Sequence, residues 1–153
     1  MSTSQQTSSV PDSASAQPPG LQKEAPRSLF DHVGLKVRDY PASVRFYTAA
    51  LRPLGFSLQY EDAASSSAGF GPAGQPQLWL SAGEPRPGVH IAFTAGDHAA
   101  VGAFHEAALA AGGTDHGAPG LRPEYHPAYY AAFVIDPDGN NVEAVCHKPQ
   151  PAA

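Results

Sequence analysis

The sequence has few of the residues that mark several large classes of protein. Its one cysteine, Cys146, excludes an internal disulfide framework and a cluster of thiolate metal ligands. Nine residues are lysine or arginine against 14 acidic ones, and the basic residues do not cluster, which excludes the basic footprint of a nucleic-acid-binding protein. No apolar run approaches the roughly 18 residues that a membrane helix needs. We therefore expect neither nucleic acid nor a membrane as a partner.

Large apolar residues are also scarce near both ends of the chain. Residues 1–27 are dominated by Ser, Thr, Gln, Pro and Ala. Such a segment cannot bury enough surface to offset the entropy of ordering, and we predict a disordered tail. It lacks the charged start and apolar stretch of a secretory signal, so we expect a cytoplasmic protein. Residues 149–153 are predicted to form a second tail, which leaves 28–148 as one folded domain.

Two of the seven histidines begin segments that resemble each other. His32–Val37 is similar to His90–Ala95, 58 residues further on, and the ungapped match includes eight identities in 25 positions. It pairs Asp39 with Asp97. Seven histidines against three lysines direct attention to metal or acid–base chemistry, and the repeat gives two of these histidines equivalent positions.

Each copy of the repeat is predicted to begin with a strand and a helix. Apolar residues alternate along 32–37 and 90–95, which indicates half-buried strands. Asp39 and Asp97 are expected to be N-caps of helices with one apolar face. The further predicted strands are 56–60, 68–71 and 77–81 in the first half, and 114–118, 129–136 and 141–147 in the second. The sequence thus predicts an α+β fold of two βαβββ modules, about 28–82 and 87–147.

On these motifs the sequence resembles the vicinal oxygen chelate superfamily, which includes glyoxalase I, extradiol dioxygenases and bleomycin-resistance proteins. The resemblance covers about 28–147. It rests on the duplicated plan, His32 in DHVGLKV, His90 in GVHIAF, and FVIDPDGNNVEAV at 133–145, whose DPDGN is a hairpin-turn signal. It implies two modules that form a paired mixed sheet enclosing a cleft. In the metal-binding members, histidines of the first strands and a glutamate of the last strand meet in that cleft.

The residues themselves support a metal site. His32 and His90 hold equivalent repeat positions, so a pseudo-twofold axis would bring them together. Glu143 lies on a strand whose alternation turns it away from the helices, toward the same side. Two neutral imidazoles and one carboxylate suit a divalent first-row metal and leave coordination positions for two substrate oxygens. We predict His32, His90 and Glu143 as ligands of Ni, Zn, Mn or Fe.

A fourth protein ligand is not expected. The resemblance to glyoxalase I implies a carboxylate on the fourth strand of the first module as well. With the two turn glycines aligned, the residue opposite Glu143 is Leu78, and neighbouring registers give Gln77 or Trp79. None of these is a carboxylate. We therefore expect three ligands and an enzyme other than glyoxalase I.

The segment 117–130 is the main difference between the two halves. Loops that interrupt a repeat often carry specificity. The candidate residues are Arg122 and Tyr125 for substrate binding, and His126, Tyr129 and Tyr130 for proton transfer. Whether Tyr129 or Tyr130 faces the cleft depends on the length of the DPDGN loop, because a two-residue and a three-residue loop select opposite faces. The sequence leaves both open.

The remaining histidines and the cysteine are expected to have no role in the chemistry. His98, His105 and His116 lie on or after the second helix and are predicted to be solvated. Cys146 falls on the apolar side of its strand and is predicted to be buried. His147 is predicted to lie at the rim of the cleft.

Three functions are compatible with the sequence. The first is a divalent-metal-dependent, glyoxalase-like lyase or isomerase acting on a small oxygen-chelating substrate. The second is an Fe(II) ring-cleavage-type dioxygenase, because two histidines and one carboxylate also form a facial triad. The third is a non-catalytic small-molecule or antibiotic-binding protein of the same fold. A homodimer is compatible with all three, since the site fits within one chain or between two.

Overall fold

The computed structural model describes residues 31–86 and 88–149. The predicted disordered tail 1–27 and all but the first residue of the predicted C-terminal tail lie outside these ranges. In the first module the elements are β1 (Val33–Val37), α1 (Tyr40–Leu51), a 3-10 turn (Arg52–Leu54), β2 (Ser57–Asp62), β3 (Ser67–Gly71) and β4 (Leu78–Ala82). In the second they are β5 (His90–Thr94), α2 (His98–Ala110), β6 (Thr114–Leu121), β7 (Tyr130–Ile135) and β8 (Asn141–Cys146).

Both helices begin where the sequence predicts. The Oδ1 atom of Asp39 accepts a hydrogen bond from the backbone N–H of Ala42 at 2.9 Å. Asp97 Oδ1 accepts one from Ala100 at 2.8 Å. Each aspartate satisfies one of the N–H groups that a helix start leaves without a partner. The two predicted N-caps are thereby confirmed.

The described strands form two four-stranded sheets, ordered β1-β4-β3-β2 and β5-β8-β7-β6. In each sheet the first strand pairs with the fourth in parallel, and the other pairs are antiparallel. The predicted α+β fold of two βαβββ modules is confirmed. No ladder joins the two sheets within the described ranges, so β1 and β5 each have one hydrogen-bonded neighbour and one open edge.

The two modules share one apolar core. The helices α1 and α2 pack against each other, and the core unites their buried faces, including Phe46 and Phe104, with one face of each sheet. Cys146 is 1% exposed in this core, as predicted. The other face of each sheet points away from the helices, and it carries the candidate site residues. No helix in the described ranges is long and apolar enough to cross a membrane.

The turn between β7 and β8 forms hydrogen bonds with the first module. Gly139 has φ 90°, in the left-handed region that favours glycine, and the turn directs two buried aspartates toward α1. Asp136 Oδ2 accepts a 2.6 Å hydrogen bond from the Tyr47 hydroxyl. Asp138 Oδ2 accepts one of 3.1 Å from the Ser43 hydroxyl, and its Oδ1 accepts one of 3.0 Å from the Arg38 backbone. These bonds hold the two modules in one arrangement.

Two of the three histidines predicted to be solvated have specific partners. His105 is buried, and its Nε2 lies 2.9 Å from Asp115 Oδ1. This hydrogen bond is the main cause that lowers the pKa of Asp115. His98 stacks on Tyr130 with 3.9 Å between ring centroids. The prediction was wrong for both because their partners lie on other elements, whereas His116 is exposed as expected.

Candidate functional site

The second sheet brings two of the three predicted metal ligands together. His90 begins β5, and Glu143 lies on the neighbouring β8 with its side chain away from the helices. His90 Nε2 is 3.1 Å from Glu143 Oε2. The carboxylate is 1% exposed, whereas the imidazole is half-exposed. The pair therefore joins a buried anion to a group that solutes can reach.

The hydrogen bonds of His90 fix the roles of its two ring nitrogens. Nδ1 lies 3.1 Å from the backbone carbonyl oxygen of Asn141, which can only accept, so Nδ1 carries a proton. Nε2 faces a carboxylate, which also only accepts when ionised. Either the ring carries a second proton, or a cation is shared between Nε2 and the carboxylate. A histidine that donates from one nitrogen to a backbone carbonyl is typical of metal ligation through the other.

Tyr129 completes the surroundings of the carboxylate. Its hydroxyl donates a 2.6 Å hydrogen bond to Glu143 Oε1. Burial, followed by this bond and the charge of Glu143, raises the pKa of Tyr129 to about 12. The phenol therefore stays protonated at neutral pH and can hold the carboxylate in one orientation.

The structure settles which tyrosine faces the site. Ile135 pairs with Asn141 and Asp136 N–H bonds to Asn140 O, so Pro137–Gly139 form a three-residue loop. This register turns Tyr129 toward Glu143. Tyr130 lies on the opposite face, where it stacks on His98. Of the two candidates, the structure thus brings Tyr129 to Glu143 and places Tyr130 away from it.

We expect the Tyr129–Glu143 contact to appear in the pH dependence of stability. Tyr129 ionises near pH 10 when unfolded and near pH 12 when folded. A raised phenol pKa stabilises the fold below pH 10, and that contribution disappears between pH 10 and about 12. In Tyr129→Phe, the free energy of unfolding should fall less steeply across this range in denaturant titrations. Tyr125→Phe, which removes an exposed phenol, should leave the slope unchanged; equal slopes in all three proteins would contradict the assignment.

His32 does not join the pair within this protomer. No group of three His, Cys, Asp or Glu side chains suited to a metal exists in the described part of the chain. His32 is exposed just before β1, and its Nδ1 lies 2.7 Å from Asp31 Oδ1. This contact leaves Nε2 as the nitrogen that can bind a metal. The equivalent position in the repeat was insufficient to place His32 beside His90.

The candidate residues of the 117–130 segment have different placements. Arg122 donates to the backbone carbonyls of Ala118 and Leu121, and its guanidinium lies 5.6 Å from the ring centre of Phe133. Arg122 thus stabilises the end of β6 through these contacts. Tyr125 is 66% exposed, with its ring centroid 5.2 Å from that of Tyr129.

The two remaining polar rings lie beside Tyr129. His126 Nδ1 accepts from the Ala128 backbone, and its ring centroid is 6.3 Å from that of His147. The His147 ring in turn lies 5.1 Å from Tyr129. The structure therefore groups Tyr125, His126 and His147 around Tyr129, and no hydrogen bond in the described ranges links His126 to Glu143.

Two residues of the site were missed in the sequence. Phe133 pairs with Glu143 across β7 and β8, and its ring stacks on His90 with 6.5 Å between centroids. The backbone carbonyl of Asn141 accepts the hydrogen bond from His90 Nδ1, and the side-chain Oδ1 of Asn141 is buried without a hydrogen-bond partner among the described residues. The signal for both was alternation, since 133, 141 and 143 share the face turned away from the helices.

The strand register identifies the position in the first module that corresponds to Glu143. Ala92 pairs with Glu143, and Gly34, the repeat counterpart of Ala92, pairs with Trp79. Of the three registers that the sequence left open, the structure therefore selects Trp79. The first module has no carboxylate at this position, which agrees with the expectation that it contributes no fourth ligand.

The chain is similar to a known protein family and to solved structures. A family model described as the Glyoxalase/Bleomycin resistance protein/Dioxygenase superfamily matches residues 29–144. A glyoxalase/bleomycin resistance protein from Albidiferax ferrireducens T118 is 28% identical over 77% of this chain and 98% of its own, with a TM-score of 0.66. No match is found among curated proteins.

Two further solved structures are similar in fold. A glyoxalase/bleomycin resistance protein/dioxygenase family enzyme from Burkholderia phytofirmans PsJN is 21% identical over 75% of this chain and 95% of its own, with a TM-score of 0.57. A glyoxalase-related enzyme from Fulvimarina pelagi is 19% identical over 74% of this chain and 84% of its own, with a TM-score of 0.58. At these identities the likeness concerns the fold alone.

Proposed function

Because the chain belongs to the Glyoxalase/Bleomycin resistance protein/Dioxygenase superfamily, we propose that it is a divalent-metal-dependent enzyme of the lyase or isomerase type. Its substrate is a small molecule with two adjacent oxygen atoms. The metal is held by His90 and Glu143 of one chain and by His32. Two imidazoles and one carboxylate suit Ni, Zn, Mn or Fe.

The observation that carries this proposal is the arrangement of acceptors around His90. Its Nδ1 faces the carbonyl oxygen of Asn141, and its Nε2 faces the carboxylate of Glu143 at 3.1 Å. A cation shared by Nε2 and the carboxylate is one of the two arrangements that satisfy both groups, and we adopt it. The unpartnered Oδ1 of Asn141, on the same face of β8, is a further oxygen that a cation or its water can use. These residues fit a metal.

We propose that His32 comes from a second copy of the chain. Within one chain it stays apart from the pair, and among the described residues β1 and β5 each have one edge without a strand partner. A twofold dimer uses the same patch on both copies, so each copy would offer His32 to the other's His90–Glu143 pair. The dimer then contains two equivalent sites. The contact of His32 Nδ1 with Asp31 supports this role, since carboxylates commonly orient metal-binding histidines.

The chain's own groups have defined tasks around the metal. When bound, a divalent metal supplies Lewis acidity toward two substrate oxygens. Tyr129 orients the Glu143 carboxylate and keeps its proton at neutral pH. Tyr125, His126 and His147 line the approach beside Tyr129, where an imidazole can take up or release a substrate proton.

Metal analysis of protein purified without added metal tests the proposal. Near-stoichiometric Ni, Zn or Mn is the expected result. Oxygen-sensitive iron at the same stoichiometry would favour a ring-cleavage dioxygenase instead. Absence of metal, together with a melting temperature that added metal leaves unchanged, would exclude both enzymes and favour a non-catalytic binding protein of this fold.

A further inference from the structure

The face of the first sheet that carries Trp79 contains a row of residues set by strand register. Gly34 on β1 pairs with Trp79 on β4, Trp79 pairs with Gly69 on β3, and Gly69 pairs with Tyr60 on β2. Their neighbours along the strands, such as Leu35 and Leu80, belong to the core. The row therefore lies on the face turned away from the helices, as Glu143 does in the second module.

The two glycines of this row have opposite surroundings. A side-chain Cβ at Gly69 would lie 2.9 Å from Pro76 Cβ, 3.1 Å from Trp79 Cζ3 and 3.2 Å from Trp79 Cη2, so Pro76 and the six-membered ring of the indole cover this glycine. A Cβ at Gly34 would meet no atom within 4 Å. The indole thus leans toward β3 and leaves an open area over the backbone of β1.

The rest of the row adds a second aromatic ring beside the indole. The Tyr60 ring lies 5.4 Å from the Trp79 ring, on the far side of Gly69 from β1. The planes of the two rings are tilted by 53°, and the exposed backbone of Gly34 lies on the other side of the indole from Tyr60. Aromatic rings pack favourably against such neighbours in offset or tilted arrangements. An aromatic ring placed over Gly34 can pack against the indole in this way, whereas a saturated ring cannot.

The open area lies close along the chain to one residue of the proposed metal site. His32 is exposed immediately before β1, two residues from Gly34 along the chain. A ligand whose oxygens bind the metal beside His32 can extend a substituent over Gly34 and against Trp79. No charged side chain belongs to the row itself.

We propose that Gly34 and Trp79 form a subsite for a planar aromatic ring of the substrate, adjacent to its two metal-binding oxygens. The substrate class is then an aryl-substituted compound with vicinal oxygens. This assignment rests on the proposed function for the placement of the oxygens, whereas the ring subsite itself consists of first-module residues alone.

The single tryptophan makes the subsite directly observable. Intrinsic fluorescence excited at long wavelength reports only on Trp79, and three α-hydroxy acids share one chelating head group. Mandelate carries a phenyl ring, hexahydromandelate a saturated ring of similar size, and lactate a methyl group. We expect mandelate to change the fluorescence saturably and to bind about tenfold more tightly than the other two.

Two glycine substitutions test whether mandelate binds over Gly34. Gly34→Val fills the open area with a residue that favours strands, and it should weaken mandelate binding about tenfold while leaving lactate binding and metal content unchanged. Gly102→Ala, which adds a methyl group to an equally uncrowded glycine on α2, is the matched control and should bind all three acids normally. Equal affinities for mandelate and hexahydromandelate, or no effect of Gly34→Val, would overturn the subsite.

The outcomes also separate the subsite from the proposed function. Bound metal with no preference for mandelate overturns the subsite and leaves the metal site intact. A metal-free protein that still binds mandelate in a Gly34-dependent manner supports the subsite and overturns the proposed function. Fluorescence that responds to protein concentration and not to mandelate means that another copy covers Trp79, which overturns the subsite. The absence of any saturable change does the same.

Discussion

Co-expressed His32→Ala and Glu143→Ala chains are expected to bind about a quarter of the metal that the wild-type protein binds, although neither variant alone binds metal well. If each site takes His32 from one chain and the His90–Glu143 pair from the other, a mixed dimer contains one complete site and one that lacks both groups. Random pairing makes about half of the dimers mixed. A site within a single chain predicts no recovery, because every chain lacks one ligand.

The expected loss of metal affinity in each single variant follows from the ligand that the substitution removes. Glu143 supplies the only anionic ligand of the proposed set and is buried between His90 and Tyr129. Since loss of an outer-shell partner alone costs metal sites 10–100-fold in affinity, removal of this ligand should cost about 100-fold or more. Titration of each protein with Ni²⁺ or Zn²⁺ by calorimetry measures both the affinity and the number of sites.

The controls identify failures that have other causes. His116→Ala changes an exposed histidine outside the proposed set and should retain the full number of sites. Circular dichroism and sedimentation must show that each variant folds and has the wild-type oligomeric state. Full metal binding by Glu143→Ala would place the site elsewhere. Folded dimers that recover no metal in the mixture would show that His32 is not supplied across the dimer.

The sequence predicted the elements of the fold well because their signals are local. Alternation and the caps Asp39 and Asp97 depend on neighbouring residues, and all eight predicted strands appear with small shifts at their ends. The His90–Glu143 pair was also predictable, since parallel pairing of β5 and β8 follows from the βαβββ order. Local patterns thus brought together two of the three predicted ligands, His90 and Glu143.

What the sequence left open depended on single-residue register. Aligning the turn glycines placed Leu78 opposite Glu143, because Gly74 and Gly139 have different positions in connections of equal length. Phe70 pairs with Leu78, and Val134 pairs with Val142, eight residues apart in both cases. Since a one-residue shift moves a side chain to the other face, only the observed pairing identifies Trp79.

The arrangement of the two modules relative to each other could not be predicted from the sequence, for a different reason. The partners that fix it are far apart along the chain: the bond between Tyr47 and Asp136 spans 89 residues. His32 stayed apart from His90 because the modules are held through α1, α2 and the β7–β8 turn, not through a ladder between β1 and β5. A repeat predicts equivalent positions, and the packing of the two copies decides whether those positions meet.

Asp136→Ala is expected to lower the free energy of unfolding by about 4 kcal/mol. The side chain is 4% exposed and accepts four hydrogen bonds. Oδ1 receives the backbone N–H groups of Asp138 and Asn140, at 2.9 Å and 2.8 Å, and Oδ2 receives the Asn140 amide at 2.9 Å and the Tyr47 hydroxyl at 2.6 Å. Alanine leaves these donors buried without partners, and each such donor costs about 1–3 kcal/mol before relaxation.

Two further variants distinguish the hydrogen bond that Asp136 accepts from the other module from those that it accepts within its own turn. Asp62 also accepts from a backbone N–H and a hydroxyl, those of Ala64 and Ser65, but only within its own loop. Asp62→Ala should therefore lower the free energy of unfolding much less than Asp136→Ala does. Tyr47→Phe removes the bond to Asp136 while preserving the ring in the core, and it should cost about 1–2 kcal/mol.

Combining the two substitutions isolates the contact between the modules. Once Asp136 is alanine, the Tyr47 hydroxyl has lost its acceptor, so Tyr47→Phe should cost little or even stabilise the protein by removing a buried donor. The double-mutant cycle, measured by urea denaturation, should yield a coupling of about 1–2 kcal/mol. Additive losses would mean that the hydroxyl and the carboxylate act independently, and the turn would then stabilise only its own module. A strong coupling means that the second sheet, with His90 and Glu143, is oriented through α1 of the first module.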